Sequence, residues 1–229
     1  MIFRQLREPI SSTYTYLLAC PHTRHAALID PVIEDLATYE ELMNSLGLRL
    51  QYTLETHVHA DHVTASDALR KRLGSRIAVA AVAGVEGADQ GLAHGDMVAI
   101  GDLHLQVRAT PGHTDGCVCF VMEDRVFTGD ALLIGGCGRT DFQHGSAPTL
   151  YRSIAAEIFT LPPDTLVFPA HDYKGRTVST IREEILTNAR LGCGNSEDEF
   201  VAIMADLKLA YPKQIDRAVP ANMRCGRED

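Results

Sequence analysis

The stretch that decides the fold is His57-Val-His59-Ala-Asp61-His62, in which four side chains of metal-binding type fall within six residues. It ends a run over 50–57 that alternates like a β-strand, and a predicted helix over about 63–73 follows it. Turns between strands and helices are where α/β proteins place exposed, chemically active side chains. This histidine-rich turn is therefore the first candidate for a functional site.

Three more ligand-type residues each stand at the end of a predicted strand: His113 in TPGHTDG, Asp130 in FTGDALL and His171 in FPAHDY. Imidazole and carboxylate groups without thiolates suit zinc, iron or manganese and leave coordination positions open for reactants. An isolated histidine is more often a surface or packing residue. The recurrence of ligand types at strand ends instead predicts a metal centre.

Length and charge limit the other possibilities. The chain has 229 residues and a net charge of −9, so we expect a single domain over 1–229 with a helical C-terminal segment at about 176–229. Acidic character argues against nucleic-acid partners, which require a basic face, and against anionic membrane surfaces. No apolar run has the length of a membrane span or a signal peptide, so we expect a cytoplasmic protein.

Hydrophobic periodicity and turn residues predict the elements. The predicted strands cover 13–19, 25–30, 50–57, 76–81, 96–100, 103–110, 117–122, 125–130 and 165–171; the predicted helices cover about 36–46, 63–73, 149–161, 176–191 and 197–210. Strand-rich blocks followed by helices indicate sheets with helices packed outside and not a parallel βαβ series. The six cysteines are expected to be reduced thiols, none of them a nucleophile.

The order H-x-H-x-D-H followed by single His, Asp and His resembles the metallo-β-lactamase fold superfamily, and the resemblance extends to Asp30 at the end of an early strand. It implies an α/β (α+β) fold, the αββα sandwich, with a metal site at one edge between the two sheets. The superfamily includes hydrolases and redox enzymes, so the fold alone does not settle the function.

Three further stretches resemble the persulfide dioxygenases: GGCGRTDFQ over 135–143, PAHDYKGR over 169–176 and VPANMRCG from 219. The resemblance implies an oxidoreductase that converts glutathione persulfide, O2 and water to sulfite and glutathione at one non-haem Fe(II) per chain. It also implies a homodimer. Coenzyme A persulfide or another small persulfide remains an alternative substrate, and sulfide detoxification or sulfur assimilation remain alternative roles.

In that family the iron ligands carry over to His57, His113 and Asp130, and two His with one carboxylate leave three adjacent positions for substrate and O2. Tyr173 is implied beside the iron as a catalytic residue, with a half-buried packing role as the alternative. The residues of an unused second metal site, expected to orient the ligands, are His59, Asp61, His62 and His171. The implied substrate-binding residues are Arg139, Thr114, Tyr173, Lys174 and Arg176.

A second hypothesis is a hydrolase similar to glyoxalase II, in which two zinc ions activate water against a glutathione thioester. That family shares Gly-Cys-Gly-Arg but continues differently from 140–143, and about 58 residues after His171 leave limited room for its glutathione-binding helical domain. A third hypothesis is a metal-binding scaffold without activity, against which the complete ligand set speaks.

Overall fold

The computed structural model describes residues 1–228, which form two compact units. The first unit comprises Met1–Leu92, Met97–Leu105 and the chain from Pro212 onward, and the second comprises Ala93–Asp96 and Gln106–Tyr211. The single domain predicted over 1–229 stays a prediction, and its last residue, Asp229, lies outside the described residues. Within residues 1–228 no helix combines the length and apolar character needed to cross a membrane.

A six-stranded mixed sheet with the strands in sequence order forms the centre of the first unit. Its strands are β1 (Ile2–Arg7), β2 (Tyr14–Ala19), β3 (His25–Ile29), β4 (Arg49–Leu54), β5 (Arg76–Ala80) and β6 (Gln90–Leu92). β1, β2 and β3 pair antiparallel, whereas β3 to β6 pair parallel. The prediction against a parallel βαβ series is therefore wrong for this unit.

Two crossover helices make the parallel pairing: α1 (Leu36–Ser45) joins β3 to β4, and α2 (Ser66–Leu73) joins β4 to β5. Tyr39 and Met43 on α1 and Leu69 on α2 pack with buried side chains of β2 and β3. Short strands buried on both faces lack a clear alternating pattern, which hides parallel pairing from sequence periodicity. The helix predicted over 63–73 starts only at Ser66, because Thr64 is extended and bridges to Val32.

A short helix near the C-terminus, α6 (Ile215–Asn222), completes the first unit. It lies within the segment predicted to be helical, about 176–229, but no separate helix is predicted at its position. It contains Pro220, a residue that removes a backbone donor and obscures the helical signal. Ala218 and Ala221 on this helix pack against Val63, directly after the histidine-rich turn. The C-terminal segment thus covers the turn that carries the metal-type ligands.

Strand β7 (Met97–Ile100) precedes β8 (Leu103–Ala109), along which the chain passes from the first unit to the second. The second unit continues with β9 (Val118–Val121), β10 (Arg125–Gly129), β11 (Leu166–Pro169) and β12 (Ser179–Thr180). β8, β9 and β10 pair antiparallel, β10 pairs parallel with β11, and β12 pairs antiparallel with β11. β8, β9 and β10 thus form an antiparallel meander.

The helices of the second unit are α3 (Ala147–Ser153), α4 (Ile181–Thr187) and α5 (Glu197–Ala205). α3 is capped by Ser146 and continues into one π-helical turn, Ile154–Ile158. Leu150, Ile154 and Ile158 belong to the buried core of this unit. The helix predicted over 176–191 is shorter in the structure because residues 179–180 form β12, and the helix predicted over 197–210 ends at Ala205.

Candidate metal centre

The histidine-rich turn follows β4 in the first unit, and its three imidazoles are buried and lie side by side. His57, His59 and His62 are 2%, 1% and 4% exposed. The ring centroid of His59 lies 4.1 Å from that of His57 and 4.3 Å from that of His62. Three neighbouring imidazoles withdrawn from water need polar partners or a cation to compensate their lost hydration.

The orientation of His57 is set by the residue before it. The Thr56 hydroxyl donates to Asp30 Oδ2 at 2.8 Å and lies 3.0 Å from His57 Nδ1, so it accepts the Nδ1 proton. The Thr56 backbone N–H also donates to Asp30 Oδ1, at 2.7 Å. A proton on Nδ1 makes Nε2 the atom of His57 that can bind a metal.

His59 is held by two carboxylates. Its Nε2 atom lies 3.1 Å from Asp30 Oδ1 and 3.4 Å from Glu55 Oε2. Burial alone disfavours the charged imidazole, but the two carboxylates outweigh it and raise the pKa of His59 well above its ordinary value. Thr64 and Ser66 donate to the other oxygen of Glu55, at 2.5 and 2.6 Å, which fixes that carboxylate.

Three nitrogens of the turn are buried without a hydrogen-bond partner among the described residues: His62 Nε2 and both ring nitrogens of His59, of which Nε2 makes only the two carboxylate contacts given above. Ligand atoms of His59, Asp61 and His62 lie within 4.8 Å of one another. The Thr13 hydroxyl donates to Asp61 Oδ2 at 2.9 Å, which positions that carboxylate. Orphaned imidazole nitrogens beside a carboxylate are the donor set that a divalent cation takes, so this turn fits a metal.

The remaining predicted ligands stand together in the second unit, each just after a strand: His113 after β8, Asp130 after β10 and His171 after β11. His113 Nδ1 donates to the Arg139 backbone carbonyl at 2.6 Å, which directs Nε2 toward Asp130 Oδ2, 3.6 Å away. His171 Nδ1 donates to the other oxygen, Asp130 Oδ1, at 2.7 Å. In metal sites, the atom of each ligand side chain that does not bind the metal typically makes a hydrogen bond of this kind.

A close backbone approach at Gly138 makes this arrangement possible. A Cβ atom added there would lie 2.7 Å from both the Asp130 carbonyl oxygen and His113 Nδ1. The Gly138 N–H donates to that same carbonyl at 2.7 Å. Gly138, the second glycine of the Gly-Cys-Gly-Arg stretch, therefore lets the backbone approach the two predicted ligands His113 and Asp130.

Comparison with known proteins identifies the family of this chain. The family described as "Metallo-beta-lactamase superfamily" matches residues 9–171. The mitochondrial persulfide dioxygenase ETHE1 of Homo sapiens is 53% identical, over 99% of this chain and 89% of the human protein. A probable metallo-hydrolase of Burkholderia pseudomallei is 34% identical, over 96% of this chain and 91% of the relative.

The crystal structure of ETHE1 from Myxococcus xanthus superposes with a TM-score of 0.97 at 52% identity, covering 99% of this chain and 100% of that one. The chain belongs to the persulfide dioxygenase family of the metallo-β-lactamase superfamily. The fold predicted from the sequence, that of the metallo-β-lactamases, is thereby confirmed.

Arg139, one of the residues predicted to bind substrate, makes several contacts within the second unit. Its guanidinium makes two hydrogen bonds to Asp141, at 2.6 and 2.7 Å, and one to the Ala210 carbonyl at 2.8 Å. It also lies 4.4 Å from the centre of the Phe142 ring. These contacts give Arg139 a clear role in holding its own loop.

The other residues predicted to bind substrate differ in exposure. Thr114 is buried, and its hydroxyl lies 3.2 Å from Cys117 Sγ. Arg176 pairs with Asp172 at 3.2 Å and donates to the Ile134 carbonyl. Lys174 is exposed. Tyr173 is 75% exposed, with its ring stacked on His171 at a centroid distance of 6.0 Å.

Asn222 is a functional residue that the sequence-based predictions leave without a role, although the quoted C-terminal stretch VPANMRCG contains it. Its side-chain amide donates to the carbonyls of His59 and His62, at 2.9 and 2.8 Å, and its side-chain oxygen accepts the Thr64 N–H at 2.9 Å. Thr56 and Glu55 were missed as well, although both directly precede the motif.

Two buried thiols of the second unit, those of Cys117 and Cys137, are poorly suited to nucleophilic chemistry. Burial raises the pKa of Cys117 to about 12 and that of Cys137 to about 11, although hydrogen bonds oppose the shift. At neutral pH both stay protonated, and a thiol without its thiolate form is a poor nucleophile. This agrees with the expectation that the chemistry of this family does not run through a cysteine.

Proposed function

We propose that this protein is an enzyme that oxidises glutathione persulfide with O2 and water, giving glutathione, sulfite and two protons. The observation that carries the proposal is the identity of 53% to a persulfide dioxygenase over 99% of the chain. The oxygen atoms of O2 and water supply the three of sulfite, and the terminal sulfur of the persulfide is what becomes oxidised.

We propose Fe(II) as the metal, one per chain, with His57 Nε2, His113 Nε2 and an oxygen of Asp130 as its ligands. A hydrogen bond orients each of the three side chains. The Thr56 hydroxyl accepts from His57 Nδ1, the Arg139 carbonyl accepts from His113 Nδ1, and His171 Nδ1 donates to Asp130. His113 Nε2 and Asp130 Oδ2, 3.6 Å apart, can both approach one ion to about 2 Å. When bound, such a centre supplies open positions and electron transfer between persulfide and O2.

The charge of this ligand set favours an anionic substrate. Two neutral imidazoles and one carboxylate leave a divalent ion with a net charge of about +1, which a persulfide anion neutralises. By donating to Asp130 Oδ1, His171 orients that carboxylate so that Oδ2 faces His113 Nε2. Substrate selection by charge therefore follows from the donor set and needs no cysteine nucleophile.

We propose that Arg139, Thr114, Tyr173, Lys174 and Arg176 bind the substrate and that Tyr173 also acts as a catalytic residue beside the iron. Tyr173 lies over the outer face of His171, and the exposed ammonium of Lys174 suits a glutathione carboxylate. The guanidinium groups of Arg139 and Arg176 also donate hydrogen bonds to Asp141 and Asp172, respectively. His59, Asp61 and His62 complete this proposal as residues that orient the turn.

The experiment combines metal analysis with oxygen uptake. Protein purified without added metal is expected to contain one iron per chain and to consume O2 when glutathione persulfide is added. Asp130→Ala is expected to lose iron and activity, and Asp124→Ala, an exposed carboxylate on the neighbouring turn, is the matched control. Iron-loaded protein that consumes no O2, or an Asp130→Ala variant that keeps full activity, contradicts the proposal.

One observation favours a second candidate, a dinuclear zinc hydrolase of glutathione thioesters: ligand atoms of His59, Asp61 and His62 cluster within 4.8 Å. Two zinc ions per chain, together with hydrolysis of S-lactoylglutathione, would establish it. Several relatives that are named as hydrolases are more distant, at 30% to 34% identity. One iron and no thioester hydrolysis is the expected result.

The proposal includes a homodimer located in a reducing compartment, the cytoplasm. The six cysteines are all free thiols in the structure, which fits such a compartment. Light scattering of the purified protein measures the assembly, with a dimer expected and a monomer contradicting it. Fractionation of the source cells tests the location.

A further inference from the structure

Three ligand-type side chains meet in the first unit at a place that the proposed reaction does not use. Cys20 follows β2, His22 lies in the turn before β3, and Asp102 lies in the turn between β7 and β8. Cys20 Sγ donates to Asp102 Oδ2 at 3.4 Å, and His22 Nδ1 lies 3.3 Å from the same oxygen. The sulfur, nitrogen and oxygen atoms all lie within 4.8 Å of one another.

The backbone holds the two turns together. Gly101 has a φ of 58°, and a Cβ there would lie 2.0 Å from Thr23 Oγ1 and 2.9 Å from Cys20 Cβ, so only glycine lets the turns approach. The Cys20 N–H donates to the His25 carbonyl at 2.9 Å, and its carbonyl accepts the Arg24 N–H at 3.0 Å. The cluster is thus a built feature of the fold and not a chance meeting of long side chains.

The spacing matches a tetrahedral ion. Zinc bonds of about 2.0 Å to oxygen and nitrogen and about 2.3 Å to sulfur place tetrahedral ligands about 3.3 Å (N to O) and about 3.5 Å (S to O) apart. The observed separations are 3.3 Å for His22 to Asp102 and 3.4 Å for Cys20 to Asp102. We propose that Cys20, His22 and Asp102 bind a zinc-like divalent cation, with water as the fourth ligand.

Charge and exposure support this assignment. A thiolate and a carboxylate neutralise a divalent ion, and the proton lost by Cys20 passes to solvent. The side chains of His22 and Asp102 are 83% and 63% exposed, whereas Cys20 is 1% exposed. The sulfur ligand is therefore buried, and the other two proposed ligands are accessible to solvent.

The sulfur ligand makes this site distinguishable from the proposed iron centre, whose ligands are nitrogen and oxygen. One equivalent of Co2+ added to the iron-loaded protein is expected to produce a sulfur-to-cobalt charge-transfer band and the visible bands of tetrahedral cobalt. Zinc should displace the cobalt. The Cys20→Ser variant should lose the charge-transfer band, and Cys193→Ser, which removes the exposed thiol of the second unit, should keep it.

His22→Gln provides a test that does not depend on a buried position. This exposed substitution should weaken cobalt binding about tenfold or more while oxygen uptake with glutathione persulfide stays unchanged. The proposal is overturned if the wild type shows no thiolate band, if the band persists in Cys20→Ser, if it disappears in Cys193→Ser, or if His22→Gln binds cobalt as tightly as the wild type. If the cobalt test fails, the dioxygenase proposal still stands, because the cobalt band reports on the Cys20 sulfur whereas iron content and oxygen uptake report on the proposed iron ligands.

Discussion

The side chain of Asn222 donates to the backbone carbonyl of His62 at 2.8 Å, across a sequence separation of 160 residues. It makes a second such bond to the His59 carbonyl at 2.9 Å, so one buried amide holds the turn that carries three imidazoles. The C-terminal helix α6 thereby fixes the backbone on which the metal-type ligands are mounted. Loss of this amide should therefore act on the metal as well as on stability.

Asn222→Ala is expected to lower the free energy of unfolding by about 2–3 kcal/mol, because it leaves two buried carbonyls and the Thr64 N–H without partners. It should also lower the metal content of the purified protein. Denaturant unfolding and elemental analysis measure the two effects. Asn44→Ala, on an exposed position of α1, serves as the control and should change stability by less than about 0.5 kcal/mol. An Asn222→Ala variant with normal stability would show that water replaces the amide.

Two glycines of one short stretch give the next prediction. Gly138→Ala places a Cβ 2.7 Å from His113 Nδ1 and from the Asp130 carbonyl oxygen, so both proposed ligands must move and metal content and oxygen uptake should fall. In Gly136→Ala the nearest atom belongs to the Arg190 side chain at 3.8 Å, which is ordinary contact. That variant should therefore keep its metal. Equal metal content in the two variants would contradict a positioning role for Gly138.

The placement of the proposed ligands at strand ends could be predicted from the sequence, because a strand followed by a histidine-rich turn is a local signal. The hydrogen bonds that orient them could not. Asn222 reaches the turn from a helix whose pattern is hidden by Pro220, and nothing in either segment indicates their contact. The parallel pairing of β3 with β4 escaped prediction for a similar reason, since buried strands carry no alternation that distinguishes neighbours.

Arg139 illustrates how a motif residue that is predicted to bind substrate can also make contacts that the motif does not reveal. The carboxylate of Asp141, two residues along the chain, takes two of its donors, a pairing that the motif alone does not reveal. Sequence patterns identify which side chains stand near a site. They do not show how many donors of each remain for a ligand.

A double-mutant cycle measures this pairing. Arg139→Ala and Asp141→Ala should each lower stability. Because either substitution alone already breaks the bidentate pair, the double variant should lose less than the sum of the two, by a coupling energy of about 1 kcal/mol. Arg139 hydrogen bonding lowers the pKa of Asp141, so the coupling should decrease in acid. A purely additive cycle would show that the Arg139–Asp141 pair contributes no coupling energy to stability.

Lys174→Ala should leave stability unchanged and raise the KM for glutathione persulfide.

The last prediction concerns acid and the N-terminal turn of α2. Burial alone raises the pKa of Asp67, but Lys71 at 2.6 Å and Arg70 at 2.7 Å outweigh it and leave that pKa below its ordinary value. A carboxyl with a lowered pKa stabilises the fold above its unfolded value, about 3.9, and this stabilisation is lost as pH falls through the lower folded value.

Asp67→Asn should therefore lower the free energy of unfolding by about 1 kcal/mol at pH 7, and the difference from wild type should shrink as the pH is taken below about 4. Denaturant unfolding at a series of pH values measures it. Asp198→Asn, an exposed carboxylate on α5, is the control and should show little change across the same range. A difference for Asp67→Asn that stays constant down to pH 3 would mean that packing, and not the charge of the carboxylate, accounts for the loss of stability.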